Sequence, residues 1–228
     1  MANALLPKNL PLPPMQALGE LVLSRLRHAV IAGEIARGTH LVESQLSEMF
    51  DVSRGPIRDA LRQLEAEGLV ESRRRGVFAI GLTSTDVDEL YMIRELLEIQ
   101  ALRLAAKVPD GEIWASVVKH LSAMKERAAA GDPLAFARAD LAFHSAFYGV
   151  AGSKRLESIW QQYEPTFAVM LELTNAEDRD LGPTCQDHVD LFTTVMAGDL
   201  NRAEEMLREH LQGSRTRLSN AFSRLGND

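Results

Sequence analysis

The stretch Val52-Ser53-Arg54-Gly55-Pro56-Ile57-Arg58-Asp59-Ala60-Leu61 puts two arginines, a glycine and a proline into the opening turns of a predicted helix. Carboxylates are the usual occupants there, because the amino end of the helix dipole favours negative charge. Arg54 and Arg58 stand at i and i+4 and share one face, while Ile57, Leu61 and Leu64 form the opposite, apolar stripe. Ser53 is placed to cap the helix, Pro56 falls in its first turn and Gly68 stops it. A positive helix start is reasonable when a polyanion supplies the compensation. Small residues (Ser53, Gly55, Pro56) allow close approach, and an arginine fork can grip guanine O6 and N7 or a phosphate.

The flanks extend this reading. Residues 15–33 carry apolar positions near a 3.6-residue period, which predicts a helix. His40-Leu41-Val42 reads as a short strand, and Ser44 is expected to cap a short helix through Phe50. After Gly68, the runs Leu69-Val70-Glu71 and Val77-Phe78-Ala79-Ile80 flank Ser72-Arg73-Arg74-Arg75-Gly76, a basic hairpin tip with a glycine for its turn. Helix, short helix, turn, helix and basic hairpin make a winged helix-turn-helix over residues 15–82. Thr83-Ser84-Thr85 reads as a polar linker.

Beyond Asp86 every pattern is helical, with candidates near 86–107, 111–130, 133–150, 153–174, 183–197 and 200–222. Pro/Gly and stop–cap signals separate them, so the expected fold is mostly α: the winged domain followed by an all-α antiparallel six-helix bundle over 86–228.

Charge follows the same division. Lys+Arg number 10 against 9 Asp+Glu in residues 1–84, and 15 against 23 in residues 85–228, within a net charge of −7. An acidic protein can still bind DNA when its basic groups gather on one face. No apolar run approaches the roughly 20 residues that span a bilayer. The start, MANALLPKNLPLPPM, lacks a secretory signal, and its prolines predict a flexible arm over residues 1–14. The single Cys185 excludes an internal disulfide framework and suits a reducing cytoplasm.

Three histidines in the bundle stand out. Asp140 and His144 are at i and i+4, and His188 and His210 lie among apolar residues of the last two helices. Each can be a core or surface histidine on its own account. Together they can also close around a metal and leave positions open for water or a ligand. Arg94, among Met92, Ile93, Leu96 and Leu97, can pair with Glu98 at i+4 on the surface or present a fork to a carboxylate. No HExxH run, nucleophile elbow or phosphate-cradling glycine loop is present, so an enzyme is the weaker reading.

The runs Leu41–Glu48 and Val52–Val70 resemble the winged-helix signature of GntR-type transcription regulators, with glycine at position 55 where threonine is common. Tyr91–Glu98, Asp140-x-x-x-His144, Gly152-Ser153-x-x-Leu156, His188, Gly198-Asp199 and His210 resemble the FCD ligand-binding domain of the FadR subfamily, and six helices suit its VanR-type branch. The resemblance implies DNA contacts from Ser53, Arg54, Arg58 and Gly76. Ser44, Gly55, Arg74 and Arg75 complete the expected reading surface. It also implies a divalent metal, zinc or nickel by ligand type, held by Asp140, His144, His188 and His210, with Arg94 receiving a small organic acid. The expected partners are a double-stranded operator with an inverted repeat and a second copy of the chain, since two-fold pairing doubles the sequence read. The alternatives are a bundle that only dimerises, or a metal-dependent enzyme.

Overall fold

Ile57, Leu61 and Leu64 fall on one face of a helix that begins at Arg54, and they anchor the first of two compact units, which ends at Gly81. The computed structural model describes residues 15–176, 178 and 180–225. The arm expected over residues 1–14 lies outside them. The first unit runs α1 (Met15–Ile31), β1 (His40–Leu41), α2 (Glu43–Phe50), α3 (Arg54–Ala66), β2 (Val70–Arg73) and β3 (Gly76–Ala79). Val22, Leu26 and Val30 of α1 are buried, and α1 packs on α3. Asp51, in the left-handed region at φ 52°, closes α2, and the Ser47 hydroxyl donates to the carbonyl of Val52. These contacts make the tight turn that aims α3. Its far end closes through Gly68 at φ +74°, with the Leu69 amide returning to the Leu64 carbonyl at 2.9 Å.

The strands form an antiparallel sheet of order β1-β3-β2, in register His40↔Phe78 and Arg73↔Gly76. The hairpin tip is therefore shorter than expected: Arg73 belongs to β2 and only Arg74 and Arg75 make the turn. Gly76 has φ +131°, a backbone conformation that L side chains rarely adopt, and a Cβ there would run into the His40 ring, so a side chain is strained at this corner. Ser44 is not the cap of α2. Pairing of β1 with β3 holds the chain extended through Val42, which takes the cap position without a side-chain bond, and Ser44 sits in the first turn.

The second unit, from Leu82 onward, is a helical bundle: α4 (Ser84–Ala105), α5 (Ala115–Ala130), α6 (Pro133–Ala151), α7 (Lys154–Ala176), α8 (Gly182–Met196) and α9 (Leu200–Leu225). A short 3-10 turn, Glu112–Trp114, precedes α5. The polar linker expected at 83–85 is instead the capped start of α4. Thr83 Oγ1 accepts from the Asp86 amide at 3.2 Å, and Asp86 Oδ2 accepts from the Thr83 amide at 2.7 Å. Asp132 caps α6 with Pro133 at its first position. α6 packs on α4, α5 and α7, and α9 packs on α4, α7 and α8. Phe136, Phe143, Phe147, Trp160, Phe167, Met124 and Met170 fill the space between. No described helix is long and apolar enough to cross a membrane.

Candidate functional site

The first unit presents the cations of its expected reading surface outward. Ser53, Arg54, Gly55 and Arg58 are exposed on the start of α3, as are Arg74 and Arg75 on the hairpin turn. Ser53 has the extended backbone of an N-cap, yet its hydroxyl makes no cap bond and stays open to a ligand. Arg58 Nη2 lies 3.1 Å from Glu43 Oε2 of α2, which orients the fork without burying it. The pairing holds the Glu43 carboxyl below its ordinary range, chiefly through the Arg58 hydrogen bond. A Cβ at Gly55 would meet only the Ser53 hydroxyl, at 3.9 Å, so the fold does not demand glycine there.

In the second unit α6 contributes Asp140 and His144, α8 contributes His188 and α9 contributes His210; their candidate ligand atoms all lie within 4.8 Å of one another. The tautomers follow from the outer contacts. His144 Nδ1 is 2.5 Å from Glu98 Oε2, and His188 Nδ1 is 2.7 Å from the Thr184 carbonyl. A carboxylate and a carbonyl only accept, so both Nδ1 atoms carry protons. In neutral rings both Nε2 atoms are then bare lone pairs. They stand 3.1 Å apart, and Asp140 Oδ1 is 3.2 and 3.3 Å from them. His210 Nε2 is buried and makes no hydrogen bond, and Phe143 walls the cluster edge-on.

Converging lone pairs repel unless a cation stands among them. The spacing among His144, His188 and Asp140 is close to the edge of a tetrahedral site with nitrogen ligands, about 3.3 Å for bonds of about 2.0 Å, while the set with His210 spreads to as much as 4.8 Å. A proton can substitute for the metal. Burial opposes charge on His144, but Glu98 and Asp140 outweigh it and raise its pKa. Burial also opposes ionisation of Asp140, and His188 and His144 override it, holding the carboxyl well below its ordinary range. Burial first, then the neighbouring imidazoles, keep His210 well below the usual imidazole value and so neutral. The donor set fits a borderline divalent ion.

Arg94 is 1% exposed, so the surface pair with Glu98 is corrected: the pair forms, at 2.6 Å through Nε, but inside the bundle. Its guanidinium lies 5.9 Å from the Tyr91 ring and 5.7 Å from the Phe167 ring. Arg94 Nη2 is buried without a hydrogen-bond partner. Burial opposes the charge on Arg94, yet Glu98, Tyr91 and Asp140 raise its pKa, so it stays cationic. Glu98, shared by Arg94 and His144, was weighed in the sequence only as a surface partner. Its i+4 spacing from Arg94 was the visible signal; its link to α6 was not.

Two family models match this chain: bacterial regulatory proteins of the gntR family over residues 12–80, and the FCD domain over residues 89–213. The gluconate operon transcriptional repressor of Bacillus licheniformis is 30% identical over 68% of this chain, and the match spans 64% of that repressor's length. The HTH-type transcriptional repressor RspR of Escherichia coli K12 is 26% identical over 88% of this chain and 89% of its own. A crystal structure of a GntR transcriptional regulator from Rhodococcus sp. RHA1 superposes with a TM-score of 0.67 at 25% identity, covering 90% of this chain and 98% of that one. These relatives are transcriptional regulators, not enzymes.

Proposed function

The chain belongs to the gntR family of bacterial regulatory proteins and carries an FCD domain, and on that premise we propose that it is a cytoplasmic, metabolite-responsive repressor. Two copies bind an inverted-repeat operator. Ser53, Arg54, Gly55 and Arg58 approach the major groove with Ser44 beside them, and Arg74, Arg75 and Gly76 meet the backbone. Asp140, His144, His188 and His210 hold a divalent ion, zinc or nickel. When bound, that ion anchors a carboxylate as a Lewis acid. The six helices of the bundle favour the VanR-type branch.

One observation carries the effector reading: Arg94 Nη2 is a buried, unpartnered cationic donor in the bundle that also holds the ligand cluster. A divalent ion together with Arg94 outweighs Glu98 and Asp140 by one positive charge. A small organic acid supplies the missing anion and fills the open fork. Binding releases DNA by favouring a dimer in which the two reading helices are mis-spaced, since only a ligand with unequal affinity for two states shifts them. α4 carries Arg94, and its capped start follows directly on the first unit, so it is the covalent route for coupling. Elemental analysis of purified protein and a thermal-shift screen of small acids test the reading. The expected outcome is bound metal and at least one acid that raises the melting temperature. Metal-free protein whose stability is unchanged by Asp140→Ala and His188→Ala leaves only a dimerising bundle.

A further inference from the structure

We infer that Glu98 is the positioning residue of the metal centre: its carboxylate fixes the His144 tautomer while it holds the Arg94 fork. This rests on the metal reading above. Glu98 is 4% exposed, and each of its oxygens has one donor, Oε1 from Arg94 Nε at 2.6 Å and Oε2 from His144 Nδ1 at 2.5 Å. An ionised carboxylate accepts on both oxygens and donates on neither, so it satisfies two donors at once. The His144 proton is thereby kept on Nδ1, which leaves Nε2 bare toward His188 and Asp140. Such an outer carboxylate also raises the basicity of the ligating nitrogen. The bond to Arg94 Nε turns the guanidinium so that Nη2 is the end left open. One side chain of α4 thus orders the cation-binding half of the site and its anion-binding half.

Glutamine has the shape of Glu98 but one acceptor and one donor. Arg94 cannot accept a hydrogen bond, whereas imidazole can change tautomer. The amide oxygen of Glu98→Gln therefore goes to Arg94 and the NH2 to His144, where Nδ1 must accept. The ring proton then moves to Nε2 and blocks the ligating atom. Zinc affinity of the full-length protein, measured by competition with a chromogenic chelator, should fall about 10- to 100-fold in Glu98→Gln. Glu98→Asp keeps both acceptors but draws them back by one methylene, and should lie between glutamine and wild type. Proton NMR of the zinc-free protein should show a hydrogen-bonded Nδ1 proton on His144 in wild type and none in Glu98→Gln, a signature that a general packing defect does not produce. If Glu98→Gln does not fold, a several-fold loss in Glu98→Asp decides the matter, and affinity equal to wild type overturns the assignment. Equal zinc affinity in folded Glu98→Gln overturns it as well. Wild type that takes up no zinc overturns the metal reading itself.

Discussion

Among the described residues each unit buries an arginine–glutamate pair, and the two pairs are finished differently. In the first unit Arg27 gives Nε and Nη2 to the two oxygens of Glu67, both at 2.7 Å, and Gln63 adds a third bond at 3.1 Å. In the second, Arg94 spends only Nε on Glu98, whose other oxygen goes to His144, and Nη2 is left without a partner. Taking an ion out of water costs several kcal/mol, so a closed pair is what structure alone requires. The open one is what the proposed effector would close. The cations proposed to meet ligands in the two units differ in the same sense. Arg54, Arg58, Arg74 and Arg75 stay exposed, where charge is held at little cost, while Arg94 is enclosed.

The two pairs should part most widely when each arginine's charge is removed. Arg27→Met should cost about 3–5 kcal/mol, because it leaves Glu67 buried and uncompensated. Arg94→Met should cost less, since His144 still donates to Glu98 and can carry the proton. Urea unfolding of metal-free protein reads both, and equal losses erase the distinction between closed and open pairs.

The exposed cations should behave in the opposite way. Arg54→Ala or Arg58→Ala should weaken operator binding by about 1–3 kcal/mol, or 5- to 150-fold, by anisotropy. Melting should move by no more than about 0.5 kcal/mol of stability. Binding as tight as wild type in both variants means the reading helix is misassigned.

Acid should act on the second unit with opposing signs. His210 has a lowered folded pKa, so its contribution is present above the ordinary imidazole value of about 6.5 and is lost as pH falls, the unfolded chain taking the proton first. Asp140, also lowered, loses its contribution at still lower pH, below the ordinary carboxylate range. His144, raised, opposes them: its contribution is present in acid and lost as pH climbs through its folded value. Zinc competes with these protons, so the zinc-induced rise in melting temperature should shrink between pH 8 and 5.5. A rise that is constant across that range contradicts imidazole ligation.

The smallest effect belongs to the hairpin turn. Arg74→Ala or Arg75→Ala should lower the slope of log affinity against log salt by about 0.9, alike on operator and random DNA. An effect confined to one sequence would instead make these residues base readers.

Local signals were legible and remote ones were not. The α3 stripe, its glycine stop and the basic hairpin lie within a few turns of chain, where spacing alone states the face. The six bundle helices were marked by their own breaks. Ser44 was misplaced as a cap because pairing of β1 with β3, from well along the chain, holds Val42 extended. Arg94 looked like a surface partner of Glu98 because the aromatic face of Phe167 that helps cover it belongs to α7. The four metal-ligand candidates could be named from residue type and resemblance, but their tautomers depend on Glu98 and the Thr184 carbonyl, which only packing reveals.

Control of the reading helices is proposed to lie with an acid seated at the metal and Arg94. It is tested most directly by titrating a small acid, already shown to raise the melting temperature, into the protein–operator complex for wild type and Arg94→Ala. Operator affinity should fall 5- to 150-fold in wild type, a coupling of about 1–3 kcal/mol. Arg94→Ala should bind operator as tightly as wild type and fail to release it. An acid that binds the bundle yet leaves wild-type operator affinity unchanged rules out this coupling.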